Sequence, residues 1–227
     1  WSAARSITII PAKPTAPVLV SPASNFMTND TTPTLNWNAV ATGDTYQIQI
    51  DTVTTFPAPT VDETLGSGIL TYTPASALAD GKWYWRVRAK NLADEFGPWS
   101  AARYFTVDTM GPAAPVLNAP ADAAANIRAI PLFTWKGVLG ANAYQFQIDD
   151  DNAFGSPLVT TPGDGVSGVP LKVLSYKPAG MDAMTEYFWR VKAGDAAGNW
   201  GDWSAARSIT IIPAKPTAPV LVSPASN

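Results

Sequence analysis

The chain repeats itself, and the repeat limits the folds that it can adopt. Its first 25 residues are identical to residues 203–227, which gives a period of 202 residues (203 − 1). A shorter period lies inside this one, because the pentapeptide WSAAR begins at Trp1, Trp99 and Trp203, at spacings of 98 (99 − 1) and 104 (203 − 99) residues. Internal repeats of this length mark the structural unit of a repeat protein. The unit here is therefore about a hundred residues long.

Matching motifs fill the interval between the pentapeptides. YQIQID at Tyr46 returns as YQFQID at Tyr144, 98 residues later (144 − 46), and YWRVRA at Tyr84 returns as FWRVKA at Phe188, 104 residues later (188 − 84). The second unit therefore carries six extra residues (104 − 98) between these two motifs. The pattern indicates two homologous units that have diverged within the 202-residue period.

Short segments of alternating polar and apolar residues run through both units, separated by Pro, Gly, Asn and Asp. In residues 82–90 one face carries Trp83, Trp85, Val87 and Ala89, and the other carries Tyr84, Arg86, Arg88 and Lys90. Alternation with a period of two is typical of a half-buried β-strand. No stretch has a 3.6-residue periodicity long enough for a helix. The sequence predicts an all-β fold of two packed sheets.

Three of these motifs together resemble the fibronectin type III family, in the version found in tandem on bacterial surface proteins. They are a Trp on the second strand (Trp37, Trp135), an aromatic-x-aromatic-x-Val-x-Ala strand (from Trp83 and Tyr187), and a G-P-W-S or G-x-W-S segment before the last strand (from Gly97 and Gly201). The resemblance implies tandem fibronectin type III-like β-sandwich domains arranged as a rod. It also implies a set of core aromatic residues: Trp37, Trp135, Trp85, Trp189 and Tyr187.

Within that family the tyrosine near the start of the sixth strand forms a corner hydrogen bond with the backbone. The matching residue is Tyr187 in the second unit and Trp83 in the first. The resemblance therefore implies a tyrosine corner in the second unit. In the first unit a tryptophan stands in its place.

The resemblance also sets expected domain boundaries. It places the last strand of a preceding repeat at residues 1–11, one domain at 12–108, a second at 109–211, and the first strand of a following repeat at 212–227. In this interpretation the sequence is a window cut through an array whose unit is a pair of domains. Stiff linkers are expected at the junctions, because prolines three apart at Pro11, Pro14 and Pro17 favour polyproline II.

Composition excludes several classes of function. The chain has a net charge of −3 with dispersed basic residues, no histidine and no cysteine. It therefore lacks a basic surface for nucleic acid, a His base and a thiolate nucleophile. No apolar stretch reaches the roughly 18 residues that a membrane span needs. We predict a protein that is not an enzyme, requires no cofactor or metal, binds no nucleic acid and does not insert into membranes.

An acidic segment, Asp149–Asn152, has oxygen ligands of the kind that Ca²⁺ prefers, but it lacks the Gly and the distal Glu of an EF-hand loop. A turn in which Asp and Asn side chains bind local backbone groups is the favoured interpretation.

Exposed aromatic and cationic side chains form the candidate site. Exposed tryptophans could bind sugars by stacking, and the candidates are Trp1, Trp99, Trp200 and Trp203. The favoured alternative is a structural stack. In it, cations of the aromatic-x-aromatic-x-Val-x-Ala strand lie over the tryptophan of the WS segment. Its predicted members are Trp99, Arg86 and Arg88 in the first unit, and Trp203, Arg190 and Lys192 in the second.

The six-residue insertion lies in residues 155–175, where the first unit has only residues 57–71. It is either a tolerated surface loop or a lateral contact that distinguishes the two domains.

The repeat and the resemblance predict a structural segment of a long extracellular or cell-surface microbial protein or filament, such as a stalk, fibre or sheath. Its expected partners are other copies of the same repeat, joined by lateral packing or by strand exchange in which residues 1–10 replace residues 203–211 of another copy. The alternative is a carbohydrate-binding or spacer module of an adhesin or extracellular glycosidase, with glycans as partners.

Overall fold

The computed structural model describes residue 5 and residues 12–161 and 171–216. The chain divides into two compact units, Trp1–Met110 and Gly111–Asn227. Within the described residues each unit contains eight strands in two sheets and no helix. The predicted all-β fold is confirmed.

Unit 1 consists of a three-stranded and a five-stranded sheet. Its strands are β1 Leu19–Ser21, β2 Phe26–Thr28, β3 Leu35–Trp37, β4 Thr45–Asp51, β5 Val61–Leu65, β6 Thr71–Tyr72, β7 Gly81–Lys90 and β8 Arg103–Val107. The sheet orders are β1-β3-β6 and β2-β8-β7-β4-β5. The chain changes sheets between β1 and β2, and β2 runs parallel to β8 while the other neighbours are antiparallel.

Unit 2 repeats this topology. Its strands are β9 Leu117–Ala119, β10 Ala124–Ile127, β11 Phe133–Trp135, β12 Ala143–Asp149, β13 Val159–Thr160, β14 Ser175–Tyr176, β15 Glu186–Gly194 and β16 Arg207–Ile211. The sheet orders are β14-β11-β9 and β10-β16-β15-β12-β13. Each strand of unit 2 therefore has a counterpart in unit 1, as the sequence repeat requires.

Alternating side chains of the long strands build the two cores. In β7 every second residue from Trp83 to Ala89 is buried and the residues between them are half-buried. The aromatic residues predicted for the core lie within it: Trp85 and Trp189 are fully buried, and Trp37, Trp135 and Tyr187 are at most 3% exposed. The buried residues form two separate clusters, one in each unit.

A corner hydrogen bond closes the turn before the long strand in both units. The Tyr187 hydroxyl accepts from the backbone N–H of Asp182 at 2.7 Å. In unit 1 the indole N–H of Trp83 donates to the carbonyl oxygen of Ala79 at 2.8 Å. The tryptophan thus makes a corner bond of its own, with the direction of donation reversed.

The edge strand of the larger sheet differs between the units. In unit 1, β5 pairs with β4 along five consecutive residues. In unit 2, β13 pairs only at its two residues, after which Thr161 donates to Phe146 O at 2.9 Å and Leu171 pairs with Tyr144. Among the described residues, the edge strand of unit 2 is therefore shorter than that of unit 1. Residues 162–170 lie outside the described residues, and so does the lateral contact predicted there.

The predicted terminal strands also fall largely outside the described part. Of residues 1–11 only Arg5 is described, and of residues 212–227 only 212–216, which form no strand. Strand exchange through residues 1–10 therefore remains a hypothesis from the sequence.

Candidate functional site

A ladder of aromatic rings and cations lies on the outer face of the larger sheet in unit 1. The guanidinium carbons of Arg86 and Arg88 each lie 4.5 Å from the centroid of the Trp99 ring. Arg86 also lies 4.2 Å from the Phe56 ring, and Arg88 lies 3.8 Å from the Phe96 ring. Because β7 places Arg86 and Arg88 two residues apart on one face, the rings and cations alternate. We call this set the unit 1 ladder.

The unit 2 ladder has the same construction. Arg190 lies 3.9 Å from the Phe154 ring and 4.5 Å from the Trp203 ring. The Lys192 ammonium lies 4.9 Å from Trp203 and 5.2 Å from Trp200. The structure thus brings together all six residues predicted for the two stacks, three in each unit.

The serine of the WS segment fixes the position of the tryptophan. The backbone N–H of Ser100 donates to Val87 O at 2.8 Å, and its hydroxyl accepts from the Val87 N–H at 3.1 Å. Ser204 makes the same two bonds with Val191, at 2.8 and 3.1 Å. One serine thus occupies both backbone groups of a residue on the long strand. The tryptophan before it is thereby held beside that strand.

Glutamines on the neighbouring strand orient the arginines of unit 1. Arg86 donates two hydrogen bonds to Gln49 Oε1, at 2.9 and 2.7 Å, and Arg88 donates one to Gln47 Oε1 at 2.8 Å. The amide nitrogens of both glutamines donate to the carboxylate of Asp62 on β5. A relay therefore links β7, β4 and β5 across the outer face and ends on an acceptor with negative charge.

The relay is shorter in unit 2. Arg190 donates to Gln147 Oε1 at 2.9 Å, and Gln147 donates to the hydroxyl of Thr160 at 3.3 Å. Gln145 is fully buried, and its amide atoms have no hydrogen-bond partner within the described part of the chain. Thr160 takes the position of Asp62, so unit 2 lacks the carboxylate that ends the relay in unit 1.

Burial lowers the pKa of the ladder arginines. For Arg86 burial is the main cause, the nearby Arg88 lowers the pKa further, and Asp62 opposes both. Burial also lowers the pKa of Arg88, against Asp62, and that of Arg190. Arginine nevertheless stays charged at neutral pH. The ladder is therefore a set of partly desolvated cations whose charge is balanced by ring faces and amide oxygens.

Two phenylalanines complete the ladders in an unusual backbone conformation. Phe56 and Phe154 have φ angles of 51° and 53°, in the left-handed region that bulky residues rarely adopt. Both side chains are buried, each over an arginine. Phe56, Phe96, Phe154 and the glutamines were not among the residues predicted for the two stacks. The available signal was recurrence 98 residues later, of Phe56 as Phe154 and of Gln49 as Gln147.

The sugar-stacking candidates among the described residues already contact other side chains or the backbone. Trp99 and Trp203 are half-buried, and each has two cations over its ring. The Trp200 ring packs on Gly194, so closely that a Cβ there would lie 3.1 Å from ring carbons. The remaining candidate, Trp1, lies outside the described residues.

The acidic segment of unit 2 forms a local turn. Asp149 Oδ1 accepts from the N–H of Asp150 at 2.9 Å, and Asp151 Oδ1 accepts from the N–H of Ala153 at 3.0 Å. In residue 5 and the ranges 12–161 and 171–216, no group of three or more His, Cys, Asp or Glu residues could hold a metal ion. The same ranges contain no helix that is long and apolar enough to cross a membrane.

Comparisons with known proteins agree with this fold. Residues 21–109 match the model of the bacterial Ig-like domain family. The fibronectin(III)-like modules of Clostridium thermocellum CbhA share the fold at 11% identity and a TM-score of 0.52, over 91% of this chain and 100% of theirs. A search of curated protein sequences finds no match.

Two further structures are similar at lower scores. The FN1-FN3 domains of chicken CNTN1 match at 17% identity and a TM-score of 0.45, over 90% of this chain and 69% of that one. A two-domain fibronectin type III segment of chicken tenascin matches at 11% identity and a TM-score of 0.33, over 88% and 99% of the two chains.

The resemblance to fibronectin type III domains, found first in the motifs, is confirmed: the units are Ig-like, fibronectin type III-like β-sandwiches. Domains of this kind are generally non-catalytic and are common in extracellular proteins and linkers.

Proposed function

We propose that this chain is a structural repeat segment of a long extracellular microbial surface protein or filament. The carrying observation is the identity of residues 1–25 and 203–227, which repeats a domain end and a domain start together. Near-identical copies suit a stalk, fibre or sheath, in which every unit does the same mechanical work. The chain has no catalytic role in this proposal, and its partners are other copies of the same repeat.

The domain spans proposed for this array are residues 12–108 and 109–211, with residues 1–11 and 212–227 belonging to neighbouring repeats. Contacts inside unit 1 support a stiff exit from that domain. The Thr109 N–H and hydroxyl both donate to the Asp80 carboxylate, and the Met110 N–H donates to Asp108. In unit 2 Arg128 donates to the carbonyl oxygen of Pro213 at 3.1 Å. These contacts hold the backbone at the end of each domain, which suits a segment that does mechanical work.

In this proposal the ladders stiffen the outer sheet face. They join the long central strand to the WS segment and, through the glutamines, to the neighbouring strand. Glycan binding by Trp99 or Trp203 is the competing role. The cations over both rings favour the stiffening role, because a stacked sugar needs a free ring face.

Electron microscopy of the native material tests the proposal. The longest strand has ten residues, or about 33 Å at 3.3 Å per residue, so two domains with their linkers should advance about 60 to 80 Å. We expect a fibre or surface layer with an axial repeat in that range. Isolated flexible strings without a periodic lateral structure would contradict the assembled filament and favour an adhesin or spacer.

A further inference from the structure

The residues that precede the first strand pack against the loop between the last two strands in each unit. In unit 1, Pro14 is buried, and a Cβ on Gly97 would overlap the Pro14 carbonyl oxygen. In unit 2, a Cβ on Gly201 would overlap the carbonyl oxygen of Pro112. Pro112 is the repeat counterpart of Pro14 (112 − 14 = 98). We call these prolines and the residues just before them the leading segments.

The two loops accept different leading segments. The residue before the proline is Gly111 in unit 2, where a Cβ would lie 2.7 Å from Trp200 O and 2.8 Å from the Gly201 nitrogen. Side-chain carbons do not approach that closely without displacing backbone atoms. In unit 1 the equivalent residue is Lys13, which has a Cβ. The Phe96–Gly97 loop therefore has room for the Lys side chain of Lys-Pro. The Trp200–Gly201 loop has room only for the glycine of Gly-Pro.

A second copy of the Lys-Pro leading segment leaves unit 2. Residues 214–216, Ala-Lys-Pro, are identical to residues 12–14. Pro14 is buried, but Pro216 is exposed. One tripeptide thus has two environments, and the difference is the loop that covers the first copy.

We infer that residues 214–216 are a docking segment for the loop of a further copy of unit 1, and not for that of unit 2. Each loop then fits one type of leading segment, Lys-Pro for the loop of unit 1 and Gly-Pro for the loop of unit 2. This inference rests on the proposed array, but it concerns only which loop recognises which segment. A fibre could exist without this recognition, and the recognition could exist without lateral assembly.

Thiol labelling tests the docking, because the chain contains no cysteine and each introduced thiol is unique. In the 227-residue protein we expect Pro216→Cys to react at least ten times faster than Pro14→Cys. Lys215→Cys is the matched control and should react fast, since its counterpart Lys13 is exposed even beside the loop. Circular dichroism of each variant establishes that the labelled protein is folded.

The protein is then extended to two consecutive periods, residues 1–202 followed by residues 1–227. Pro216→Cys at the internal junction should slow to the rate of Pro14→Cys, while Lys215→Cys stays fast. Replacing the following glycine, the second copy of Gly97, by Ala should restore fast labelling. Equal Pro216→Cys rates in the one-period and two-period proteins would overturn the docking.

A pair of substitutions in the 227-residue protein tests the selectivity without cysteine. Gly111→Lys gives unit 2 the leading segment of unit 1 and should lower the urea midpoint of unit 2. Lys13→Gly makes the reverse change and should leave the docked Pro14 in place, so the midpoint of unit 1 should fall less. If Gly111→Lys leaves the midpoint of unit 2 unchanged, the loops do not discriminate between the two segments and the inferred selectivity fails.

Discussion

Trp99 and Trp203 occupy half-buried positions that would suit a sugar platform, yet each lies against two cations. These contacts favour a structural role for the two tryptophans over a role in sugar binding. Exposed cation–π contacts contribute about 0.5–1 kcal/mol each. Removing these contacts should therefore lower the free energy of unfolding by a measurable amount.

Trp99→Ala should destabilise unit 1 by about 1–3 kcal/mol, because it removes two cation–π contacts and part of the cover over the arginine stems. Urea unfolding followed in unit 1 measures the effect. Leu92→Ala is the control, since Leu92 is 78% exposed and its loss should change stability by less than about 0.5 kcal/mol. Unchanged stability together with lost polysaccharide binding would favour the sugar platform.

Between elements, the glutamine relay distinguishes the two units. In unit 1 it crosses three strands and ends on Asp62, but in unit 2 it ends on the hydroxyl of Thr160. Asp62 pairs with Gln49, and Thr160 pairs with Gln147, which is the repeat counterpart of Gln49. Asp62 and Thr160 therefore occupy equivalent positions on the edge strand. The carboxylate therefore gives unit 1 a stronger connection between its central strands and its edge.

Asp62→Ala should lower the free energy of unfolding of unit 1 by about 1 kcal/mol, because two amide donors lose an ionised acceptor. Asp62→Asn keeps one acceptor oxygen and should fall between wild type and Asp62→Ala. The matched control is Thr160→Ala, which removes one neutral bond of 3.3 Å and should cost less than half as much. Denaturant unfolding of the three variants measures this, and equal effects at Asp62 and Thr160 would refute the relay's role.

The sequence predicts the elements better than the contacts between them. Alternation in residues 82–90 is local, so strand β7 and its buried face could be predicted directly. The relay to Asp62 depends on the register between β4 and β5, which no local pattern specifies. The left-handed backbone of Phe56 was equally hidden, because tertiary packing over Arg86 sustains it against its intrinsic cost.

The edge of the larger sheet in unit 2 shows the same limit. Comparison of the two units gave the number of inserted residues, but it did not show that Thr161 and Leu171 both hydrogen-bond to β12. Strand pairing is non-local, so an insertion within an edge strand and one within a loop look alike in a sequence.

At the scale of the whole molecule, each unit has its own core. The two buried clusters share no residue, and each is built around one fully buried tryptophan, Trp85 or Trp189. A single unfolding free energy is not well defined for such a chain. Core substitutions should therefore act on one unit at a time.

Trp85→Ala should destabilise unit 1 by about 3–5 kcal/mol, because it leaves a large cavity among fully buried side chains. This is a large share of the 5–15 kcal/mol that stabilises an ordinary domain. Hydrogen exchange measures it: amides of β4 and β7 should exchange about a hundredfold faster or more, since 1.4 kcal/mol corresponds to a factor of ten. Amides of β12 and β15 should keep their wild-type rates, and Trp189→Ala should reverse the pattern. Equal acceleration in both units would show that the two cores unfold as one cooperative body.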